Sequence, residues 1–185
     1  MATWIVLGLI VLIGLYLVYI YNDLVRKRQM VREGWSGIDV QLKRRSDLIP
    51  NLVEAVKGYA THERAAFEAV TEMRTRAAGI DPADVAGRAR AEGMLTQALG
   101  KLFAVAEAYP ELKASANFRE LQSSLESVED ALQLARRYYN GAVRALNVVV
   151  ESFPSNLVAR RFGFTQEEYF EIEDPAERAV PRVSF

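Results

Sequence analysis

The chain has 185 residues, half of them apolar, with a formal net charge of −1 and no cysteine. This length suits one domain with an appendage, and the apolar fraction is sufficient for a hydrophobic core. The lack of cysteine excludes disulfide frameworks, thiolate metal sites and cysteine nucleophiles, and the near-neutral charge argues against a general nucleic-acid-binding surface.

An uncharged apolar run extends from Trp4 to Tyr21. As a helix it would span about 27 Å, close to the hydrocarbon thickness of a bilayer. Trp4 lies at one end and Tyr16, Tyr19 and Tyr21 gather at the other, as in the aromatic belts of membrane proteins. A cleaved signal peptide is the alternative, but the run is long and no small-residue cleavage site follows it. We therefore predict a retained transmembrane anchor over residues 3–21.

Basic residues follow the predicted anchor, at Arg26, Lys27, Arg28 and Arg32, whereas no Lys or Arg precedes it. The positive-inside rule then predicts that the amino terminus lies outside and that the remaining chain lies in the cytoplasm. We also expect Arg26, Lys27 and Arg28 to lie near anionic lipid headgroups.

Four prolines, at positions 50, 82, 110 and 154, mark where four amphipathic segments begin or end, because proline is tolerated in the first turn of a helix but not in its interior. In each segment apolar residues recur at steps of three and four, which predicts helices rather than strands. The predicted helices cover approximately residues 22–45, 50–78, 82–109 and 117–153. Their similar lengths and short connections predict an all-α fold, in which an antiparallel up-and-down four-helix bundle follows the anchor.

An alternative joins the first two helices into one long helix that is kinked at Pro50, which leaves a three-helix bundle on a stalk. We favour a break at Ile49, because the residue before a proline avoids the helical region.

The stretch Asp47–Glu63, DLIPNLVEAVKGYATHE, contains the single histidine of the sequence, His62. A zinc-protease motif would need a second histidine where Ala66 stands, and helical di-iron sites need histidines on two helices. No glycine-rich phosphate loop or G-x-S-x-G motif occurs. We therefore predict no catalytic, cofactor-binding or metal-binding residue, no small-molecule substrate and no nucleic-acid partner. Glu126, Glu129 and Asp130 are interpreted as solvated charges beside an apolar stripe.

The densest basic run is Lys43, Arg44 and Arg45. One interpretation places it at a helix carboxyl end, where cations complement the helix dipole. The other makes it a partner-binding tip.

The last predicted helix returns towards the membrane, and the following segment is SNLVARRFGF. We predict a short amphipathic helix over residues 154–164, with Leu157, Phe162 and Phe164 as apolar residues and Arg160 and Arg161 as basic ones. It either lies in the membrane interface or covers the membrane-proximal end of the bundle. Residues 165–185 are acidic and contain proline, so we predict a flexible tail.

Long stretches of the chain resemble the LemA family of bacterial membrane proteins. They are YNDLVRKRQMV, EGWSGIDVQLKRRSDLIPNLVEAVKGYATHE, AYPELKASANFRELQSSLESVED, ARRYYNGAV and SFPSNLVARRFGF. Ser46 and Gly34 depart from the usual pattern, in which these positions hold Asn and often Ala. The resemblance implies an anchor in the bacterial inner membrane, a cytoplasmic helical bundle and no assigned catalytic residue.

These observations predict a non-enzymatic single-pass membrane protein without a cofactor. Its bundle would recruit protein partners, or self-associate to organise the membrane laterally. A signalling or stress-related adaptor is the alternative, and an enzyme based on carboxylates alone is less favoured.

Overall fold

The computed structural model describes residues 1–60 and 62–171. These residues form six helices and no strand, which confirms the all-α prediction and the long apolar helix at the amino end. The helices are α1 (Ala2–Lys57), α2 (Arg64–Ala78), α3 (Val85–Glu107), α4 (Pro110–Ala114), α5 (Ala116–Glu151) and α6 (Ser155–Arg161). Most of the predicted tail, residues 172–185, lies outside the described residues.

Helix α1 continues through Pro50, so the break predicted at Ile49 is wrong. Proline has no N–H, and it therefore leaves the carbonyl of Ser46, four residues earlier, without its helical donor. Arg74 of α2 supplies the missing donor, because its Nε lies 2.8 Å from the Ser46 carbonyl oxygen. A side chain from another helix thus compensates for the proline, and α1 extends over 56 residues, or about 84 Å.

The chain leaves the helical path only after Lys57, in a turn that precedes α2. Gly58 begins this turn, and glycine has low helix propensity. The Val56 carbonyl accepts hydrogen bonds there from the N–H groups of Tyr59 and Ala60, at 3.0 and 2.9 Å. The predicted second helix is therefore divided between the end of α1 and α2, and His62 lies in the turn between them.

The chain divides into two compact units. One comprises Met1–Ile38 and Ala135–Tyr169, and the other comprises Asp39–Leu134 with the segment that starts at Phe170. We call them the anchor unit and the bundle unit. Helices α1 and α5 each contribute to both.

In the bundle unit, α2 runs antiparallel to α1. Arg74 in the last part of α2 bonds to Ser46, whereas Phe67 near the start of α2 lines a cleft with Val53, which lies further along α1. The two helices therefore form a hairpin, and the chain turns between them after Lys57.

Helix α3 runs parallel to α1 in the same unit. Arg88 lies 3.9 Å from Asp39, and one turn later Glu92 lies 3.3 Å from Arg45. The helix begins at Val85 rather than at Pro82, because the Asp84 side chain caps it by accepting the Gly87 N–H at 2.7 Å.

Helix α5 returns antiparallel to α1, since Arg45 meets Glu129 while Leu48, further along α1, lines a cleft with the earlier residue Ser124. The bundle unit therefore has the predicted up-down-up-down topology, with different helix bounds.

The core of the bundle unit is apolar and is built from all four long helices. Its members include Ile49, Leu52, Val56, Phe67, Val70, Leu95, Leu99, Leu102, Phe118 and Leu125.

The anchor unit is built around close contact between α1 and α5. A Cβ placed on Gly34 would lie 2.9 Å from the Cα of Tyr139, so glycine permits the two backbones to approach here. The Trp35 ring packs 5.6 Å from the Tyr139 ring, measured between centroids. Ile20, Leu24, Val31 and Ile38 form the buried stripe of α1 in this unit.

Candidate membrane-interface site

The first part of α1 makes no buried contact with the rest of the anchor unit. Each residue from Met1 to Tyr19 is exposed, including the predicted interface residues Trp4, Tyr16 and Tyr19, and burial begins at Ile20. Helix α1 is also long and apolar enough to cross a membrane. An apolar surface of this extent is unfavourable in water and favourable in hydrocarbon, as the predicted anchor requires.

An aromatic cluster joins the end of the apolar stretch to the residues after α6. The Tyr21 ring lies 4.9 Å from that of Phe162 and 5.9 Å from that of Phe164, both in edge-to-face geometry. The Arg28 guanidinium carbon lies 4.5 Å from the Phe164 ring centroid, which is a cation–π distance. The structure thus brings together two predicted interface segments from opposite ends of the chain.

Helix α6 has a buried face and an exposed face. Val158 and Ala159 are buried against the anchor unit, and Phe164 after the helix is only 5% exposed. Leu157 is 58% exposed and Phe162 is 56% exposed, and Arg160 and Arg161 are exposed beside them. The buried side chains of this segment therefore cover the end of the anchor unit, whereas its exposed side chains are the ones that could contact a membrane interface.

An open apolar groove lies between α1 and α6. It is lined by Leu17, Val18, Tyr21, Leu157, Val158, Arg161 and Phe162, with a volume of about 430 Å³. We call it the α1–α6 groove. One of its walls is the carboxyl end of the predicted anchor.

The basic side chains near this groove differ in their pairing. Arg26 and Lys27 both pair with Asp23, at 2.5 and 3.8 Å, so their charge is partly neutralised. Among the described residues, Arg160 and Arg161 have no carboxylate within 4.0 Å. Both arginines of α6 are also exposed to solvent.

The residues after α6 are attached to α5. Gly163 has a φ of 69°, which turns the chain in the left-handed region that favours glycine. Asn147 then exchanges two hydrogen bonds with the backbone of Glu167, and the Tyr139 hydroxyl donates to the Glu168 carbonyl at 2.8 Å. The tail predicted from residue 165 onwards therefore begins with residues that are hydrogen-bonded to α5, which the sequence did not predict.

Burial, with the Glu167 and Glu168 carboxylates nearby, raises the pKa of Tyr139 to about 12.

The basic run at residues 43–45 lies within α1 and not at a helix end. Lys43 and Arg44 are exposed, but Arg45 is 1% exposed and belongs to the interior of the bundle unit. The role of Lys43 and Arg44 in partner contact stays a prediction. Arg45 is separated from that surface because it continues the apolar stripe of α1 at a step of three from Leu42.

Arg45 connects three helices. Its Nη1 lies 3.3 Å from Oε2 of Glu92, its Nε lies 2.8 Å from Oε1 of Glu129, and its Nη2 donates to Oγ1 of Thr96 at 2.7 Å. Arg88 also pairs with Glu92, at 3.2 Å. A planar guanidinium suits such multiple pairing. Glu129 is therefore not the solvated charge that we predicted.

The carboxylates in this cluster experience opposing effects. Burial raises the pKa of Glu92, and the positive charges of Arg45 and Arg88 lower it by less, so that the pKa is raised overall. The pKa of Glu129 is raised for the same reason, with Arg45 opposing. The arrangement joins α1, α3 and α5 through buried charge.

The sequence contained a signal for this cluster, namely charged residues at core-facing steps. Glu92 precedes Leu95 by three residues on the apolar stripe of α3, as Arg45 follows Leu42 on that of α1. Within residues 1–60 and 62–171, no group of three His, Asp or Glu side chains is placed to hold a metal ion. His62 is exposed in its turn.

Comparisons with known proteins identify relatives over most of the chain. The model of the LemA family matches residues 34–185. The magnetosome proteins MamQ 1 and MamQ 2 of Paramagnetospirillum magneticum are each 28% identical over 180 residues, covering 84% of this chain and 66% of theirs. The chain thus spans just under two thirds of these relatives. Protein LemA of Metamycoplasma hominis is 25% identical over 172 residues, covering 91% of this chain and 78% of its own.

Proposed function

Because this chain belongs to the LemA family, we propose that it is a non-enzymatic membrane-anchored protein, which attaches to the bilayer through α1 and α6 and uses its helical bundle to recruit partners or to assemble laterally. The observation that carries the proposal is the contact of Tyr21, at the end of the exposed apolar stretch, with Phe162 beside α6. Membrane association itself is supported by the family and by α1, which among the described residues is the one helix long and apolar enough to cross a membrane.

Helix α6 is the second membrane attachment in this proposal. If residues 3–21 cross the hydrocarbon, Tyr21 lies at its boundary, and Phe162, in ring contact with Tyr21, lies at the same depth. Leu157 and Phe162 then face the acyl boundary, while Arg160 and Arg161 reach the phosphate level, as in amphipathic interfacial helices.

Charge supports an orientation with the amino terminus outside and the bundle in the cytoplasm of a bacterial cell. Arg26, Lys27, Arg28 and Arg32 all follow the apolar stretch, and short basic segments next to a span are retained on the cytoplasmic side. Anionic lipids of that leaflet would further attract Arg160 and Arg161.

Single cysteines test this topology directly, because the native sequence contains none. In intact cells, a membrane-impermeant maleimide is expected to label Ala2→Cys, and to label Ser36→Cys only after permeabilisation. Labelling of Ser36→Cys in intact cells would reverse the orientation, and recovery of both variants in the soluble fraction would contradict the anchor.

Partner recruitment by the bundle is supported by the MamQ relatives, which are named as magnetosome proteins, and by the exposure of Lys43 and Arg44. Photo-crosslinking residues at positions 43 and 44 are expected to capture a defined partner or a second copy in cells. The matched control is position 101, an exposed lysine on α3. Equal products from all three positions, or none, would contradict a contact surface at Lys43 and Arg44.

A further inference from the structure

The α1–α6 groove has the size and the lining of a site for an apolar chain. Its volume of about 430 Å³ falls within the usual range for small-molecule pockets, about 300–1,000 Å³. Six of its seven lining residues are apolar or aromatic, and the seventh is Arg161.

The position of the groove restricts what can fill it. Leu17 and Val18 form one wall and belong to the exposed apolar stretch of α1, while Leu157 and Phe162 form the other. If that stretch lies in a bilayer, the apolar molecules that surround the groove are lipid acyl chains. This step rests on the proposed function.

The positive charge of the groove lining indicates which class of lipid would bind there. Arg161 lines the groove, and Arg160 lies next to it in the sequence, and neither is neutralised by a carboxylate of the described residues. An exposed guanidinium that lines an apolar groove is complementary to a phosphodiester that bears an acyl chain.

We propose that the α1–α6 groove binds one anionic phospholipid, with an acyl chain between α1 and α6 and with its phosphate on Arg161. Binding would fasten α6 to the membrane end of α1 and make the attachment depend on the lipid composition. Tyr21 and Phe162, whose rings are in contact, both line the groove, so the bound chain would pack against both rings.

Native mass spectrometry of the full-length protein tests the proposal. The protein is released from micelles that contain equal amounts of phosphatidylglycerol and phosphatidylcholine with identical acyl chains. The wild-type chain is expected to retain one phosphatidylglycerol in preference to phosphatidylcholine. Arg161→Gln is expected to reduce this preference about tenfold, the effect of losing a charge-assisted hydrogen bond.

Two matched pairs of variants separate the groove from the general surface. Val18→Trp fills the groove and is expected to abolish retention of the lipid, whereas Val11→Trp, an equally exposed position of the same apolar stretch, is expected to leave it unchanged. Arg160→Gln removes one positive charge, as Arg161→Gln does, but Arg160 does not line the groove. This variant is therefore expected to keep most of the preference for phosphatidylglycerol. Helix content by circular dichroism checks that each variant is folded.

Equal retention of the two lipids by the wild type, or identical effects of Val18→Trp and Val11→Trp, would overturn the proposal. A wild-type dimer that Val18→Trp dissociates would assign the groove to a second copy and would also overturn it. The cysteine-labelling experiment is independent of these outcomes, so the topology can stand when lipid binding fails.

Discussion

The Nε atom of Arg74 donates a hydrogen bond to the carbonyl oxygen of Ser46 at 2.8 Å, and this is the carbonyl that Pro50 deprives of its helical donor. The Ser46 hydroxyl oxygen lies 3.2 Å from the same nitrogen. One side chain of α2 thereby allows α1 to continue past a proline and holds the two helices in register.

Removing this donor is expected to destabilise the bundle in a manner that depends on Pro50. Arg74→Met should lower the free energy of unfolding by about 1–2 kcal/mol, because it leaves the Ser46 carbonyl unpaired. In a Pro50→Ala background the loss should be smaller, since the N–H of Ala restores the helical hydrogen bond. Denaturant unfolding followed by circular dichroism measures both, with the exposed Arg76→Met as the control. Equal losses in the two backgrounds would show that Arg74 acts by another route.

Substitutions in the buried cluster around Arg45 are expected to change the free energy of unfolding in a strongly non-additive way. Arg45→Met removes the main positive charge between Glu92 and Glu129, and should cost about 3 kcal/mol, because Glu92 stays buried with a weaker set of partners. Arg45→Met combined with Glu92→Met should be closer to the wild type, since no carboxylate then stays fully buried without its arginine: Glu129 is partly exposed, and Arg88 keeps Asp39 at 3.9 Å. A double-mutant cycle from denaturant titrations checks this. Additive losses would contradict the coupling.

Glu92 gives the stability a defined pH dependence. Its pKa in the folded protein is raised above the ordinary value of 4.5, mainly by burial. The folded state therefore binds the proton more tightly than the unfolded state, and the resulting stabilisation is complete below pH 4.5 and is lost as the pH rises through the raised value. The free energy of unfolding of the wild type minus that of Glu92→Gln should therefore decrease from pH 4.5 towards neutrality, because Gln does not titrate. A difference that grows over this range would reverse the assigned sign.

Two glycines of α1 are expected to respond oppositely to alanine. Outside the adjacent residues and the backbone of α1, no atom of the described residues lies within 4 Å of a Cβ built on Gly37, so Gly37→Ala should stabilise the protein by about 0.5–1 kcal/mol through helix propensity. At Gly34 the same Cβ meets the Tyr139 backbone at 2.9 Å, and separation of α1 from α5 should make Gly34→Ala about 1–2 kcal/mol less stable than Gly37→Ala. Thermal unfolding of the two variants provides the comparison. Equal stabilities of Gly34→Ala and Gly37→Ala would mean that α1 can move away from α5 without loss of stability.

Local sequence patterns were sufficient to predict the long apolar helix at the amino end, the all-α class and the extent of α5, because these depend on residues that are close together in one helix. The local pattern also predicted a short helix after α5, which the structure forms over Ser155–Arg161. These properties are local to one segment, and the tertiary structure left them unchanged.

Only the tertiary structure decided the continuity of α1, the burial of Arg45 and the meeting of Tyr21 with Phe162. In each case the deciding group belongs to a distant segment: Arg74 supplies a donor to Ser46, and Glu92 supplies a charge to Arg45 from 47 residues away. A proline breaks a helix and an arginine prefers water when each is considered alone. Both preferences are overcome here by hydrogen bonds and ion pairs that exist only once the helices have packed.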